Sequence, residues 1–192
     1  MYILFLLIMY LVGEIGGGIN MGIELNNKVL QQRVECMGKQ ICVNYDRFYT
    51  RNHLWVKVTT DGNLKLGITD YAQQFLKKKA ALVEFIKNPA GHDEVEEDEV
   101  FCTVYGGMYP DPETLESECM AFDVISPVTG SIFEVNEAVL DKPQLVNIGC
   151  YDEGWIATIK PSEDWRVTNT LVRPERYIKL LKKVGKSPLR VL

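Results

Sequence analysis

The sequence predicts a mainly β protein, a small sandwich or barrel with a short internal helix and a C-terminal helix. Three observations indicate this fold class. Short stretches that alternate apolar and polar residues recur along the chain, turn residues separate them, and few segments have helical spacing. The 192 residues, 46% hydrophobic and 24% charged, are enough for one globular domain with its own core.

The first 48 residues divide into an apolar start and a weakly patterned extension. Residues 1–12 are an unbroken apolar run, shorter than the ~20 residues of a membrane-spanning helix, and the first basic residue is Lys28, unlike in a secretory signal. Three interpretations of residues 1–21 therefore remain open. They are a mis-called gene start, with the true start at Met21, or a membrane anchor, or an additional element buried in the fold. Deleting residues 1–20 is expected to leave folding intact. Residues 22–48 form an N-terminal extension, with a helix or strand at 29–34 and a strand at 40–45.

The pattern sharpens after residue 49. Residues 53–60 and 63–68 alternate with period two around Asp61-Gly62, which predicts a β-hairpin. Residues 69–79 predict a short helix, because Thr69 or Asp70 can cap its first turn and three lysines suit its C-terminal end. Residues 81–86 return to strand character.

Loops and strands alternate through the second half of the chain. Residues 92–99 hold six carboxylates, a pattern more typical of a solvated, self-repelling loop than of a metal or partner site. Residues 106–118, with two glycines, two prolines and four acids, predict an exposed loop. Strands are predicted at 100–105, 119–125, 131–136 and 155–160. A helix is predicted from Pro174 to residue 184, with seven basic residues and one acid between 173 and 190 that favour a solvated face over a contact with an acidic partner.

The inventory of reactive residues excludes several function classes. A net charge of −5 argues against general nucleic-acid binding, and five cysteines, an odd number, favour reduced thiols and a cytoplasmic location over a disulfide framework. His53 and His92 lie at no metal-ligand spacing with cysteines, the Cys36–Cys42 spacing is unlike that of zinc sites, and a structural role is favoured for His53. Because the common catalytic and phosphate-binding motifs are missing, we expect no catalytic residues, no metal site and no enzyme activity.

Four motifs in order resemble the H protein of the glycine cleavage system, a lipoyl carrier with a barrel-sandwich hybrid fold. They are YTxxHxW from Tyr49, GITDYAQ from Gly67, PVxGxxxEVNE from Pro127 and EGW from Glu153. The resemblance covers about residues 49–184. It implies an H-protein-like domain at 49–165, followed by a C-terminal helix and basic tail at 166–192.

The chain departs from the family where the family carries its lipoyl lysine, at a hairpin tip shortly before the Pro-Val-x-Gly turn. Counting back from Pro127 places Cys119 at that position, and no lysine occurs from Gly91 to Pro127. Residues 105–115 look like an insertion of about eleven residues relative to the family. Leu54 stands where the family usually has an acid. The resemblance therefore implies the fold and a docking surface for partners. It also implies lipoate as the cofactor, but the chain lacks the lysine to which lipoate would be attached. We therefore expect no cofactor.

Three functional hypotheses remain open. The first is a non-lipoylated scaffold, adaptor or regulator that binds glycine-cleavage or lipoate-handling enzymes, with membrane contact only if residues 1–12 are an anchor. The second is a thiol-based carrier or redox protein using Cys119, which the neighbouring Glu116 and Glu118 disfavour because they oppose thiolate formation. The third is a carrier that uses Lys77, Lys78 or Lys79. A disulfide between Cys102 and Cys119 was also considered, but the insertion leaves their register open.

Overall fold

The computed structural model describes residues 23–26, 29–77, 79–87, 93–110, 117–167 and 169–184. The apolar start at 1–21 lies outside them, as do His92 and Lys78. The strands of the described part are β1 Ile23–Asn26, β2 Val29–Cys36, β3 Lys39–Asn44, β4 Phe48–Tyr49, β5 Leu54–Val58, β6 Leu64–Ile68, β7 Ala80–Phe85, β8 Glu94–Val95, β9 Val100–Pro110, β10 Ser117–Ile125, β11 Gly130–Val135 and β12 Ala157–Pro161. Its α-helices are α1 Asp70–Phe75, α2 Glu137–Asp141, α3 Leu145–Ile148 and α4 Pro174–Val184, with a 3-10 turn at Trp165–Val167.

The described strands form three antiparallel sheets, which confirms the mainly β prediction. The largest sheet has the order β4-β5-β6-β12-β11-β8, and a second sheet has the order β10-β9-β7. The third sheet, β1-β2-β3, comes from the predicted N-terminal extension. Helix α4 spans the residues predicted for it.

The predicted hairpin around Asp61-Gly62 is confirmed as β5–β6. Gly62 has φ +83°, a left-handed conformation that a side chain would strain. The register pairs Val58 with Leu64 and Leu54 with Ile68. Every second residue of both strands faces the core, so the hairpin forms one wall of the sandwich.

The internal helix is shorter than predicted. The Thr69 side chain caps α1 by accepting a hydrogen bond from the Ala72 N–H, as predicted, but the helix ends at Phe75. Lys77 has φ +52° and turns the chain into β7. The prediction that the lysines extend the helix is therefore wrong, because the chain must reverse there to reach the second sheet.

Two predicted loops contain strand structure. Within the acidic run at 92–99, Val95 is fully buried and its strand β8 pairs with β11. Burial of this one apolar residue therefore outweighs the preference of its charged neighbours for a loop. The predicted loop at 106–118 is wrong at both ends, because β9 continues to Pro110 and β10 starts at Ser117. Cross-strand pairing overrides the local preference of the two glycines for a loop.

Buried side chains form two hydrophobic clusters. The larger one fills the space between the second sheet and the six-stranded sheet, and includes Leu66, Phe101 and Ile132. The smaller one joins β2 and β3 to α4 around Tyr49 and Tyr177, whose rings stack at a centroid distance of 4.4 Å. The N-terminal strands thus share a core with the last helix of the described chain.

Candidate functional site

Cys119, the residue predicted at the family's lipoyl position, lies in strand β10. It is paired in register with Met108 of β9, two residues from the last described pair of the hairpin, Pro110 and Ser117. Its thiol is exposed, and its Sγ lies 3.2 Å from the carbonyl oxygen of Gly106, to which it donates. The backbone of this position is therefore fixed by strand pairing.

The register of this hairpin has an irregularity next to Cys119. The pairing shifts between Cys119 and Ala121, where one residue of β10 lies opposite Gly106 and Gly107 of β9. A Cβ at Gly106 would lie 3.3 Å from the carbonyl oxygen of Met120, so the two strands approach closely at this irregularity. Glycine here allows the extended hairpin to remain paired.

The five cysteines, all within the described residues, form no disulfide with one another, and Cys119 is the exposed one. Cys102 is fully buried and pairs with Val124, several residues along the hairpin from the Cys119–Met108 pair. Burial, and then the charges of Asp123 and Glu84, raise the pKa of the Cys102 thiol well above its usual range. Cys102 is therefore a neutral core residue, and the disulfide considered from the sequence is not formed.

The lysines of the third hypothesis lie beside the same hairpin. The carbonyl oxygen of Lys79 accepts a hydrogen bond from the Gly107 N–H at 2.6 Å. Both Lys77 and Lys79 are exposed, and Lys78 lies outside the described residues. The turn after α1 therefore places the backbone of Lys79 against strand β9 at Gly107, which sequence spacing does not indicate.

His53 lies in an aromatic pocket, at a left-handed position (φ +58°) directly before β5 rather than within the strand as predicted. Its Nδ1 is 2.8 Å from the Tyr177 hydroxyl, and its ring centroid is 4.0 Å from that of Tyr71. Burial lowers the pKa of His53 to about 4. A neutral, packed imidazole supports the predicted structural role.

A polar network joins the N-terminal sheet to the GITDYAQ motif. The Asp70 carboxylate accepts a hydrogen bond from the Cys42 N–H at 2.8 Å, and the Tyr151 hydroxyl donates to the Cys42 carbonyl oxygen at 2.6 Å. Arg47 is buried, donates to the Tyr151 carbonyl oxygen and lies over the Trp55 ring. No local pattern in the sequence indicates this network, because its partners come from segments distant in the chain.

A surface cavity of about 760 Å³ lies at the other end of the β9–β10 hairpin. Lys87, Lys160, Glu94, Glu96 and Glu99 line it together with the turn before β11. The Lys87 ammonium lies 2.7 Å from a Glu99 oxygen, and this hydrogen bond raises the pKa of Lys87. The cavity mixes both signs of charge, and no motif in the sequence indicates it.

The described ranges contain neither a metal-binding cluster nor a membrane-spanning helix. No group of three or more His, Cys, Asp or Glu residues among them is placed to hold a metal ion. No helix among them is long and apolar enough to cross a membrane.

The known proteins to which the chain is similar all belong to one family. A family model described as "Glycine cleavage H-protein" matches residues 47–184. The "Probable glycine cleavage system H protein" of Thermococcus gammatolerans is 37% identical over 134 residues, which are 70% of this chain and 88% of the relative. The "Glycine cleavage system H protein" of Carboxydothermus hydrogenoformans is 38% identical over 141 residues, which are 73% and 95% of the two chains.

A solved structure is similar over the same part of the chain. The crystal structure of a glycine cleavage system H protein from Mycobacterium marinum superposes with a TM-score of 0.54 at 26% identity. The match covers 70% of this chain and 95% of the other. This chain therefore has the same mainly β sandwich fold as that protein.

Proposed function

The chain belongs to the glycine cleavage H-protein family, and we propose that it is a member without a lipoyl arm. In this proposal it is a scaffold or regulator that binds proteins of glycine cleavage or lipoate metabolism, and it is not itself an enzyme. The names of its relatives, which refer to the glycine cleavage system, support this class of partner.

The observation that carries the proposal is the thiol of Cys119. Lipoate is joined to family members through an amide with a lysine amine, and a thiol cannot form that linkage. Cys119 does not fit this cofactor, because its side chain ends in a thiol and carries no amine; its Sγ lies 3.2 Å from the Gly106 carbonyl oxygen. No lysine occurs between residues 91 and 127 to replace it.

The length of the hairpin supports the same conclusion. The family's acceptor lysine lies at a hairpin tip, whereas Cys119 lies within a paired strand opposite Met108. Strand pairing holds the backbone of a residue in place, so this position lacks the exposed turn that an attachment enzyme reads. A lysine introduced at 119 is therefore expected to be a poor lipoyl acceptor.

Intact mass measurement tests the absence of the arm. The chain and a lipoylated H protein are each coexpressed with a lipoate ligase and supplied with lipoate. We expect the chain to keep its unmodified mass of 21.9 kDa while the control gains the adduct. A lipoyl adduct on this chain would contradict the proposal, and peptide mapping would identify the lysine.

Direct binding tests the scaffold role. The immobilised chain is presented with each of the three enzymes of the glycine cleavage system and with a lipoate ligase, all purified from the same organism. We expect at least one to bind, and Cys119→Ser to bind equally well, because a scaffold needs no thiol. Failure of all four to bind would contradict the proposal.

A thiol-based carrier or redox protein is the second candidate, favoured by the exposure of Cys119 among otherwise less accessible thiols. This role requires a thiol with altered reactivity. The pH dependence of the Cys119 alkylation rate, compared with an unfolded cysteine peptide, tests it. Identical profiles would exclude this candidate.

A carrier that uses another lysine is the third candidate. Lys77 and Lys79 are exposed and follow the end of α1 at Phe75 rather than lying on a helix, which favours this candidate more than the sequence does. The intact-mass experiment also tests this candidate, with Lys77→Arg and Lys79→Arg as controls for any adduct.

A further inference from the structure

The outer face of the sheet β10-β9-β7 carries apolar side chains in register across its strands. Leu82, Tyr105 and Ala121 lie side by side on β7, β9 and β10. Beyond them, towards the hairpin end, Met108 pairs with Cys119. Residues of the opposite parity, such as Val83 and Val104, are buried in the core. We call these five residues the hairpin face.

The hairpin face is unusually exposed for apolar residues. Met108 is 71% exposed and Leu82 is 51% exposed. Strand β7 starts at Ala80, opposite Gly106, so the hairpin continues past its neighbour as two strands from residue 107 onwards. A contiguous apolar patch on a sheet that extends from the protein body is typical of an interaction site.

Acidic residues flank this face on one side. The next row of the sheet, away from the hairpin end, places Glu84, Thr103 and Asp123 across the same three strands. Both carboxylates are on exposed residues, and the Thr103 hydroxyl donates to Asp123 at 2.9 Å. The segment from residue 91 to 127, which includes both strands of the hairpin, contains eleven acidic residues and no Lys or Arg in the sequence, although the whole chain has a net charge of only −5.

We propose that the hairpin face is the surface on which this chain binds a protein partner that presents an apolar side chain bordered by Lys or Arg. Met108 and Leu82 would contact the apolar group, and the Glu84–Asp123 row would face the basic residues. The acidic row lies on one side of the apolar centre and therefore favours one orientation of the partner.

This inference rests on the proposed scaffold function and assigns it a surface. The apolar centre supplies the affinity, because exposed apolar area is removed from water on binding. The acidic row supplies orientation and a dependence on ionic strength. Two expectations therefore follow from the geometry. The affinity for the partner falls when a charge is introduced at position 82 or 108, and it falls at high salt.

The test uses the full chain and the four purified proteins named above as probes. Leu82→Lys and Met108→Lys each place a positive charge in the apolar centre, and Ile148→Lys is the matched control, because Ile148 is 80% exposed on α3. We expect each of the first two variants to weaken binding at least ~10-fold, about 1.4 kcal/mol, and Ile148→Lys to bind as the wild type does. Binding of the wild type is also expected to weaken between 50 and 300 mM salt.

The possible outcomes distinguish the assigned surface from the scaffold function. Wild-type affinity in both Leu82→Lys and Met108→Lys, with unchanged thermal unfolding, overturns the assigned surface and leaves the scaffold function standing. Failure of the wild type to bind any of the four proteins overturns the function and the surface together. If light scattering instead shows that the wild type alone forms dimers that both variants lose, a second copy occupies the face, and the assignment of a different partner protein is wrong.

Discussion

The partly buried imidazole of His53 predicts a pH dependence of stability that can be assigned to one residue. Its pKa is about 4 in the folded protein, because burial between Tyr71 and Tyr177 disfavours the charged form. In the unfolded chain a histidine has a pKa of ~6.5. Between these two values the unfolded state binds a proton that the folded state does not.

The sign and size of the effect follow from this difference. Because the unfolded state gains the proton, the free energy of unfolding decreases as the pH falls from 6.5 to 4, and His53 adds no further change below or above that range. The difference in pKa corresponds to roughly 3 kcal/mol at the acid end. At pH 7 the imidazole is mostly neutral in both states, so its effect on the free energy of unfolding is small.

Urea unfolding of the wild type and of His53→Asn between pH 4 and 7 measures this contribution. Asparagine tolerates the left-handed backbone at this position (φ +58°), so the variant loses the titration and the ring packing without added backbone strain. Carboxylates also titrate in this range, and the difference between the two proteins removes their contribution. We expect the wild type to lose stability more steeply than the variant as the pH falls.

NMR titration provides an independent measurement, since the chain has only two histidines and His92 serves as the internal comparison. A His53 pKa near 6.5, or equal slopes for the wild type and His53→Asn, would refute the reasoning.

Three further predictions concern single residues. N-ethylmaleimide under native conditions is expected to modify Cys119 first of the five thiols, and peptide mapping that finds a buried thiol modified first would contradict the structure. Gly154→Ala is expected to lower the free energy of unfolding by about 1–3 kcal/mol, because the new Cβ would lie 2.6 Å from a backbone carbonyl oxygen of α3; Gly149→Ala, whose nearest contact is 3.6 Å, is the control and should change little in urea unfolding. Trp55→Phe is expected to destabilise the protein by about 1–3 kcal/mol, because the indole N–H donates to the buried Cys150 carbonyl oxygen at 2.7 Å; an unchanged midpoint would show that this hydrogen bond has no net effect.

Elements with complete local signals could be predicted from the sequence. The β5–β6 hairpin combines period-two alternation with Asp61-Gly62, and α4 combines Pro174 at its start with one apolar face. Both specify their structure without distant partners. Strand β8 could not be predicted, because Val95 is the only apolar residue in an acidic run and its burial depends on pairing with β11.

The candidate site was only partly predictable for the same reason. The resemblance leads to Cys119. Its pairing with Met108, however, depends on the register shift between β9 and β10, in which Gly106 and Gly107 lie opposite one residue of β10. The position of Lys79 beside Gly107 depends on where α1 ends. Register and turn position are decided by contacts across the fold, and a single sequence does not contain them in local form.

The contact between the N-terminal strands and the last helix has a consequence for the order of folding during synthesis. The Cys36 thiol donates to the Leu181 carbonyl oxygen, across 145 positions of sequence, and Val34, Ile41 and Tyr177 belong to the same cluster. A ribosome makes β2 and β3 early, but their apolar side chains have no complete partner until α4 has emerged. The smaller core therefore closes only after α4 has been synthesised, and until then the nascent chain presents an apolar hairpin to which chaperones or other nascent chains can bind.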